Sequence, residues 1–288
     1  MLATYHNHTR WSDGKATPRE VLDAARDLGI SDLGISDHWV LHPRKEKKSW
    51  AMPAEKLGEY VREILALKEQ AKEHAKTNGL LGLEVDWFPG HGLPLCIELD
   101  KHPFDYLIGS CHEVDVQGVG SFMIDMSAAT WEKLTEDQRN EIHRQYWRNQ
   151  KSMAEAGLFD IVAHLDLPKK FGFLATCDLS REITDALDAI AAANEDRPYV
   201  VELNTAGWHK PCNCGYPTPE ILHELRRRNV PVTINADAHQ PEHLLRDFDR
   251  AAQRLSEAGY THVARFRRRE VRFEPIADAV PGPATSSR

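Results

Sequence analysis

The chain has 288 residues, of which 28% are charged, and it carries a formal net charge of −8. This balance gives no overall attraction to nucleic acid or to an anionic membrane, so we expect neither as a partner. No apolar run approaches the ~18 residues of a membrane span, and the first residues lack the pattern of a signal peptide. The five cysteines are scattered and odd in number, which argues against a disulfide framework and favours a cytoplasmic location.

Seven short apolar segments alternate with longer amphipathic ones, which predicts an α/β fold with a parallel sheet. The predicted strands are Leu2–His6, Asp32–Ser36, Leu80–Val85, Tyr106–Ser110, Asp160–Ala163, Tyr199–Asn204 and Val230–Asn235. The strand Tyr199–Asn204 is apolar on both faces, as buried parallel strands are. At this level an open doubly wound sheet and a closed barrel both fit the pattern.

Helical patterns occupy the segments between these strands. Thr17-Pro18-Arg19-Glu20 has the form of a capping box with proline at the first helical position. The predicted helices are Thr17–Leu28, Glu55–Lys76, Thr135–Ala156, Ser180–Ala193, Thr218–Arg228 and Glu242–Ala258. The last residues are rich in Pro, Ser and Gly, so we expect one domain over residues 1–275 and a disordered tail over residues 276–288.

A histidine or a carboxylate stands at or just after the end of every predicted strand. In chain order the main ones are His6, His8, Asp13, His38, Glu84, His112, His164, Asp237 and His239. Residues two apart in an extended segment point to the same face, so His6 and His8 lie side by side. The carboxyl ends of parallel strands in a barrel meet at one face, where such folds place their active sites.

Imidazole and carboxylate ligands without thiolates suit zinc, iron or manganese. Nine ligands are too many for one ion of four to six ligands, so we expect two or three divalent ions. Ions about 3.5–4 Å apart can activate a water and stabilise the oxygens of an in-line phosphoryl displacement. The pattern therefore predicts a centre of two or three metal ions of the kind that can activate a water.

The order of motifs "HNH", "SDG", "ISDH", "GLEVD", "GSCHEVD", "HLDL", "ELNTAG", "YPTPEIL" and "NADAH" resembles the PHP (polymerase and histidinol phosphatase) superfamily, and most closely its histidinol-phosphate phosphatase branch. The match runs from His6 to about His239. The resemblance implies a distorted (β/α)7 barrel, like a TIM barrel, with a trinuclear metal site at the carboxyl ends of its strands. It also implies hydrolysis of L-histidinol phosphate in histidine biosynthesis.

The resemblance further implies a role for each motif residue. His6, His8, Glu84 and Asp237 would hold the first metal, and Glu84 would bridge to a second metal held also by His112 and His164. Asp13, His38 and His239 would hold the third. Glu84 would act in catalysis as the bridge, and His239 or Asp13 would protonate the leaving alkoxide if not fully committed to metal. Asp37 is expected to orient a ligating histidine.

Substrate binding is assigned to Lys170, Asn204, His209 and Lys210, which follow the later strands. Two positions depart from the branch pattern. Ala236 stands where serine is usual, and His209 stands where arginine is common. If that arginine helps bind the substrate phosphate in the relatives, the substrate of this protein could differ from theirs.

Three alternatives stay open on the sequence. A phosphoesterase of the same superfamily could act on another small phosphate such as a nucleotide. A metal-dependent amidohydrolase would use a related barrel, although no lysine ends a central strand. A metal-binding scaffold without catalysis is the third, and the sequence makes no prediction of oligomeric state.

Overall fold

The computed structural model describes residues 1–72 and 77–281 and has an α/β fold built on parallel strands. Strands β1 to β6 are Leu2–Thr4, Ile30–Ile35, His38–Trp39, Asn78–Leu81, Glu84–Asp86 and Ile108–Ser110. Strands β7 to β13 are Glu113–Val116, Gly120–Met123, Ile161–Val162, Val200–Asn204, Val232–Asn235, His262–Arg267 and Glu270–Pro275. Two parallel sheets have the orders β1-β2-β4 and β11-β10-β9-β6-β5-β3, and β7–β8 and β12–β13 form antiparallel hairpins.

Eight α-helices cover the outer faces of the strands in the described part of the chain. Helices α1 to α4 are Pro18–Asp27, Leu57–Lys72, Gly92–Leu99 and Ala128–Glu132. Helices α5 to α8 are Glu136–Ala156, Ser180–Asp196, Pro219–Arg227 and Phe248–Glu257. Short 3-10 helices are Ala54–Lys56, Leu167–Phe171, Thr205–His209, Pro241–His243 and Ile276–Asp278. In residues 1–72 and 77–281, no helix combines the length and the apolar character that crossing a bilayer requires.

The capping box predicted at the start of the first helix is confirmed by side-chain hydrogen bonds to the first helical turn. Thr17 and Glu20 form a complete capping box at α1, with Pro18 at the first helical position. Thr135 and Gln138 form a second at α5. Helix α5 ends at Gly157, whose φ of 62° is the left-handed conformation that glycine adopts without a steric penalty.

The α/β fold with a parallel sheet is confirmed, and the differences are local. The strand predicted over Leu80–Val85 is divided into β4 and β5, and β3 and both hairpins were not predicted. The helix predicted over Glu242–Ala258 begins only at Phe248, because residue 247 has a left-handed backbone. Residues 73–76 of the helix predicted to Lys76 lie outside the described residues, as do residues 282–288 of the predicted tail.

The side chains form two cores. The larger core lies between the strands and the helices. The smaller core gathers one face of the strands against β12, and its members include Ala3, Leu80, Ile108, Ile161, Val200 and Phe266. Alternation along β10 places Glu202 and Asn204 on the same face as Val200, nearer the carboxyl end. The small core is therefore continued toward the carboxyl ends by polar side chains.

Aromatic rings fill the middle of the small core. The Tyr106 hydroxyl donates to the Tyr5 carbonyl at 2.5 Å, and the Tyr5 hydroxyl accepts from the Phe266 backbone N–H at 3.1 Å. Gly34 and Gly82 face the Tyr106 ring so closely that a Cβ at either position would overlap it. These glycines let a large ring occupy the space between the strands.

Candidate metal centre

His6 and His8 follow β1, and both side chains are buried. Their backbone is fixed by the segment after β11, because the His8 N–H donates to the Ala238 carbonyl at 2.8 Å and the Ala238 N–H donates to the His6 carbonyl at 3.1 Å. The two rings lie with their centroids 5.0 Å apart. The extended chain therefore turns both imidazoles toward one point, as the sequence predicts.

That point is the carboxylate of Glu84, which is buried in β5. Five imidazoles lie within 3.5 Å of its two oxygens, those of His6, His8, His38, His112 and His164. Its Oε2 lies 3.0 Å from His6 Nε2 and 2.7 Å from His38 Nδ1, whereas Oε1 lies 3.0 Å from His164 Nε2. Glu84 thus faces different histidines with its two oxygens, which is the arrangement of a bridging carboxylate.

The remaining three candidate ligands lie beside this group. Asp237 Oδ1 is 3.1 Å from His8 Nε2, and Asp13 Oδ1 is 3.2 Å from His239 Nε2 and 3.8 Å from His38 Nε2. Donor atoms within 4.8 Å of one another form four overlapping sets. These are His6-His8-Asp237, His6-Glu84-His164, His38-Glu84-His112 and His8-Asp13-His38-His239. All nine residues singled out in the sequence are therefore brought together.

Several of these donor atoms are buried and have no hydrogen bond within the described residues. They are His6 Nε2, both ring nitrogens of His8, His38 Nδ1, Glu84 Oε2 and His164 Nδ1. A buried polar atom without a partner costs about 1–3 kcal/mol, so folded proteins rarely leave several in one place. Nitrogen and oxygen donors of this kind are the ligands of divalent transition metals. The residues present fit such ions.

Two carboxylates outside the group hold the rings in position. Asp86 Oδ1 lies 2.5 Å from His112 Nδ1, and Glu202 Oε2 lies 3.0 Å from His6 Nδ1. Each contact occupies one ring nitrogen and leaves Nε2 toward the centre. Carboxylates commonly orient metal-binding histidines in this way.

The role predicted for Asp37 is wrong. Its carboxylate accepts hydrogen bonds from the Thr9 N–H and hydroxyl, both at 2.7 Å, and from the Ser12 hydroxyl at 2.6 Å. Asp37 therefore fixes the loop that carries Asp13 instead of orienting a histidine. Orientation falls to Asp86 and Glu202, to which the sequence analysis gave no such role although both stand at strand ends.

The charge states of His8 and Glu84 suit metal binding, whereas nearby carboxylates outweigh burial and raise the pKa values of His6, His112 and His239. Burial lowers the pKa of His8, and repulsion from His38 and His239 lowers it further, to about 3. Burial alone would raise the pKa of Glu84, but attraction to His38 and His6 outweighs it and holds the pKa well below its usual value. A neutral imidazole and an ionised carboxylate are the forms that coordinate metals.

Two candidate ligands have a backbone conformation that non-glycine residues seldom adopt. The φ angle is 51° at Asp237 and 20° at His164. Such conformations cost about 1–2 kcal/mol and are common at functional sites. Just beyond β9, this conformation turns the His164 side chain toward Glu84. Just beyond β11, it turns the Asp237 side chain toward His8.

A cavity of about 540 Å³ opens beside these residues. Asp13, His38, His112, His164, Asp237 and His239 line its inner end. Trp50 forms one wall, with its ring centroid 4.8 Å from that of His38. The space suits a small molecule whose reacting group faces the histidines.

The four residues assigned to substrate binding have different surroundings. Lys170 and Lys210 line the cavity, and the Lys170 ammonium donates to the Asp125 carboxylate at 3.1 Å. His209 also lines it, but its Nε2 lies 2.5 Å from Asp247 Oδ2. Asn204 is fully buried and donates to Glu202 Oε1 at 2.8 Å, so it supports the carboxylate that orients His6.

Trp50, Asp125 and Arg246 are among the cavity residues that the sequence analysis missed. Asp125 follows the unpredicted hairpin β7–β8. Gly118 and Gly120 in its turn, with φ angles of 80° and 86°, were the available signal. Trp50 and Arg246 lie in loops whose direction no local pattern specifies.

Comparison with known proteins identifies the family of this chain. The model of the PHP domain family matches residues 4–206, and the chain belongs to this family. A protein of Deinococcus radiodurans named "Probable histidinol-phosphatase" is 34% identical over 271 residues, which are 94% of this chain and 98% of the relative. The histidinol-phosphatase of Bacillus subtilis is 25% identical over 78% of this chain and 87% of its own length.

A solved structure extends the likeness to the fold. Histidinol phosphate phosphatase from Lactococcus lactis, in complex with zinc, L-histidinol and phosphate, superposes with a TM-score of 0.75 at 20% identity. The match covers 94% of this chain and 98% of that one. The α/β fold is therefore that of the histidinol-phosphatase structures of the family.

Proposed function

We propose that this protein is a metal-dependent phosphatase that hydrolyses L-histidinol phosphate to L-histidinol and inorganic phosphate. The observation that carries the proposal is the group of nine imidazole and carboxylate side chains centred on Glu84. Several of their donor atoms have no hydrogen-bond partner among the described residues, and six of the nine side chains line a small-molecule cavity. The named activity of the relatives supplies the substrate. The reaction belongs to the biosynthesis of histidine.

The proposed ligand sets are those that the resemblance to the PHP superfamily implies. His6, His8, Glu84 and Asp237 would hold one ion, and Glu84, His112 and His164 a second. Asp13, His38 and His239 would hold a third. Zinc, iron and manganese all suit these donors, and zinc is bound in the Lactococcus lactis structure.

The ions, when bound, polarise a phosphate ester and a water for in-line displacement. The chain's own residues hold those ions and supply the proton. Asp86 and Glu202 keep Nε2 of His112 and His6 directed at the centre. His239 and Asp13 are the two most exposed of the nine, and both line the cavity. In this proposal the proton for the leaving alkoxide comes from that pair.

We also propose that the parallel strands close into a distorted (β/α)7 barrel that forms one domain over residues 1–275. Two residues separate β2 from β3 and two separate β4 from β5, so these four strands count as two. The parallel bridge between Asn7 and Ala238 supports closure, because it joins the first strand to the segment after the last. A cytoplasmic location stays a prediction from the cysteine content.

Phosphate release from a panel of esters tests the proposed function. The purified protein is loaded with zinc, manganese or iron(II) and assayed with L-histidinol phosphate, sugar phosphates and nucleoside monophosphates. We expect the highest kcat/KM with L-histidinol phosphate and loss of activity after chelation. Faster hydrolysis of a nucleotide than of L-histidinol phosphate would contradict the substrate assignment and favour the nucleotide alternative.

A further inference from the structure

Two positive side chains at the cavity have no counter-ion. Lys210 follows the 3-10 helix Thr205–His209, and Arg246 lies just before α8, and both line the cavity. Within the described residues neither side chain has a carboxylate at ion-pair distance. Burial lowers the pKa of both, repulsion from Lys170 lowers that of Lys210 further, and longer-range attraction to acidic groups such as Asp237, and for Arg246 to Asp247, opposes this. The Arg246 Nε is buried and lacks a hydrogen-bond partner there.

The other charges around the cavity are already matched. Asp13 and Asp237 face the imidazoles of the metal centre, and Asp125 forms an ion pair with Lys170 at 3.1 Å. Lys210 and Arg246 therefore contribute two positive charges that have no ion-pair partner in the part of the chain that the structure describes. A phosphate monoester carries close to two negative charges near neutral pH, which matches them.

Direct contacts join the two loops that carry these cations. The Thr205 hydroxyl donates to the Arg246 carbonyl at 2.8 Å. His209 Nε2 lies 2.5 Å from the carboxylate of Asp247, whose left-handed φ of 60° ends the loop before α8. The contact between His209 and Asp247 thus ties the two loops together, and their neighbours Lys210 and Arg246 face the cavity.

We propose that Lys210 and Arg246 form a phosphate clamp that binds the phosphate group of the substrate, and that the His209–Asp247 ion pair positions it. The clamp rests on the proposed phosphatase function. Guanidinium binds phosphate oxygens through paired N–H donors, and ammonium adds a point charge. Asp247 and His209 act through the clamp and are positioning residues.

The test compares Arg246→Met, Lys210→Met and the double variant with wild type, all in the metal-loaded enzyme. Arg254→Met is the matched control, because Arg254 lies on α8 in an ion pair with Glu257 and does not line the cavity. Affinity for inorganic phosphate is measured by calorimetry, alongside KM and kcat for L-histidinol phosphate. Metal content and melting temperature report on folding.

We expect each single variant to weaken phosphate binding about tenfold and to raise KM about tenfold, because it loses one set of charge-assisted hydrogen bonds. In the double variant both quantities should change about 100-fold. Metal content and melting temperature should match wild type, and Arg254→Met should bind phosphate as wild type does. Asp247→Ala should raise KM about threefold to tenfold with kcat nearly unchanged, and Asp247→Glu should restore part of the loss. An effect of Asp247→Ala on melting temperature alone would overturn the positioning role.

The clamp and the substrate assignment fail in different ways. A double variant that binds phosphate within about twofold of wild type overturns the clamp even if L-histidinol phosphate is hydrolysed normally. If wild type does not hydrolyse L-histidinol phosphate but its phosphate affinity still depends on Lys210 and Arg246, the substrate assignment fails and the clamp stands.

Discussion

Buried carboxylates at the two ends of the parallel strands have opposite surroundings. At the amino ends, Asp160 accepts from the Leu107 N–H at 2.8 Å and from Arg269 Nε at 3.0 Å, and it also pairs with Arg197. Asp105 accepts from the Leu81 N–H at 2.9 Å and pairs with Lys68. Toward the carboxyl ends, Glu84 faces imidazoles whose own donor atoms lack partners.

This difference separates a structural role from a ligand-binding role. A buried carboxylate with a full set of donors stabilises the fold, because every polar atom is paired. The imidazoles around Glu84 stabilise its charge, but several of their ring nitrogens have no hydrogen-bond partner among the described residues, so a bound cation would stabilise the group further. Substitutions of buried carboxylates at the amino ends of the strands should therefore change stability, and substitutions at the carboxyl ends should change activity.

The largest expected effect is that of Glu84→Gln at the carboxyl ends. Glutamine keeps the shape but removes the charge that would bridge two ions, so turnover of L-histidinol phosphate should fall by about 10³-fold or more. Metal content per chain should fall by at least one ion. The measurement is phosphate release together with elemental analysis, and an active variant with unchanged metal content would refute the bridging role.

Asp160→Asn tests the amino ends in the same way. Removing this charge weakens hydrogen bonds to Arg269 and Arg197, so the free energy of unfolding should fall by about 3 kcal/mol. Metal content and kcat of the folded protein should stay at wild-type values. Urea unfolding monitored by circular dichroism gives the stability, and a loss of metal at unchanged stability would reverse the comparison.

A smaller effect is expected in the small core between the two ends. Gly82→Ala would place a Cβ against the Tyr106 ring, and such overpacking costs about 2 kcal/mol. Gly58→Ala is the control, because Gly58 lies in α2 with no heavy atom within 4 Å of the added Cβ. Alanine there should raise the melting temperature slightly. Equal melting temperatures for the two variants would show that the ring does not fill the space between the strands.

The smallest effect concerns a helix cap that lies apart from the cavity. Thr17→Ala removes the hydroxyl of the capping box at α1, which typically costs about 1 kcal/mol. Thr17→Ser keeps the hydroxyl and serves as the control. Neither variant should change kcat, and a kcat lower than wild type in Thr17→Ala alone would extend the functional region to α1.

The sequence predicts the centre of the site well, because short-range patterns carry it. His6 and His8 have the two-residue spacing of an extended segment, and Glu84, His112 and His164 each stand in or next to a short apolar strand. The position of each residue along its strand is encoded locally. Because parallel strands in such folds place their carboxyl ends at one face, residues at those ends are expected to meet there. The structure brings all nine candidates together.

Other features depend on contacts that no local pattern encodes. Asp37 precedes His38 in the chain, yet its partners are Thr9 and Ser12. Arg246 faces the cavity because Thr205 and His209, about 40 residues earlier, hold its loop. The late start of α8 has the same origin, since a left-handed residue at 247 is supported by a partner on another loop.

Metal content per chain, measured alongside phosphate release, tests the central claim most directly. The purified protein should bind two or three divalent transition-metal ions per chain, lose turnover of L-histidinol phosphate when a chelator removes them, and regain it on reloading. A chain that hydrolyses the ester at full rate with less than about one-tenth of an ion bound would contradict the account.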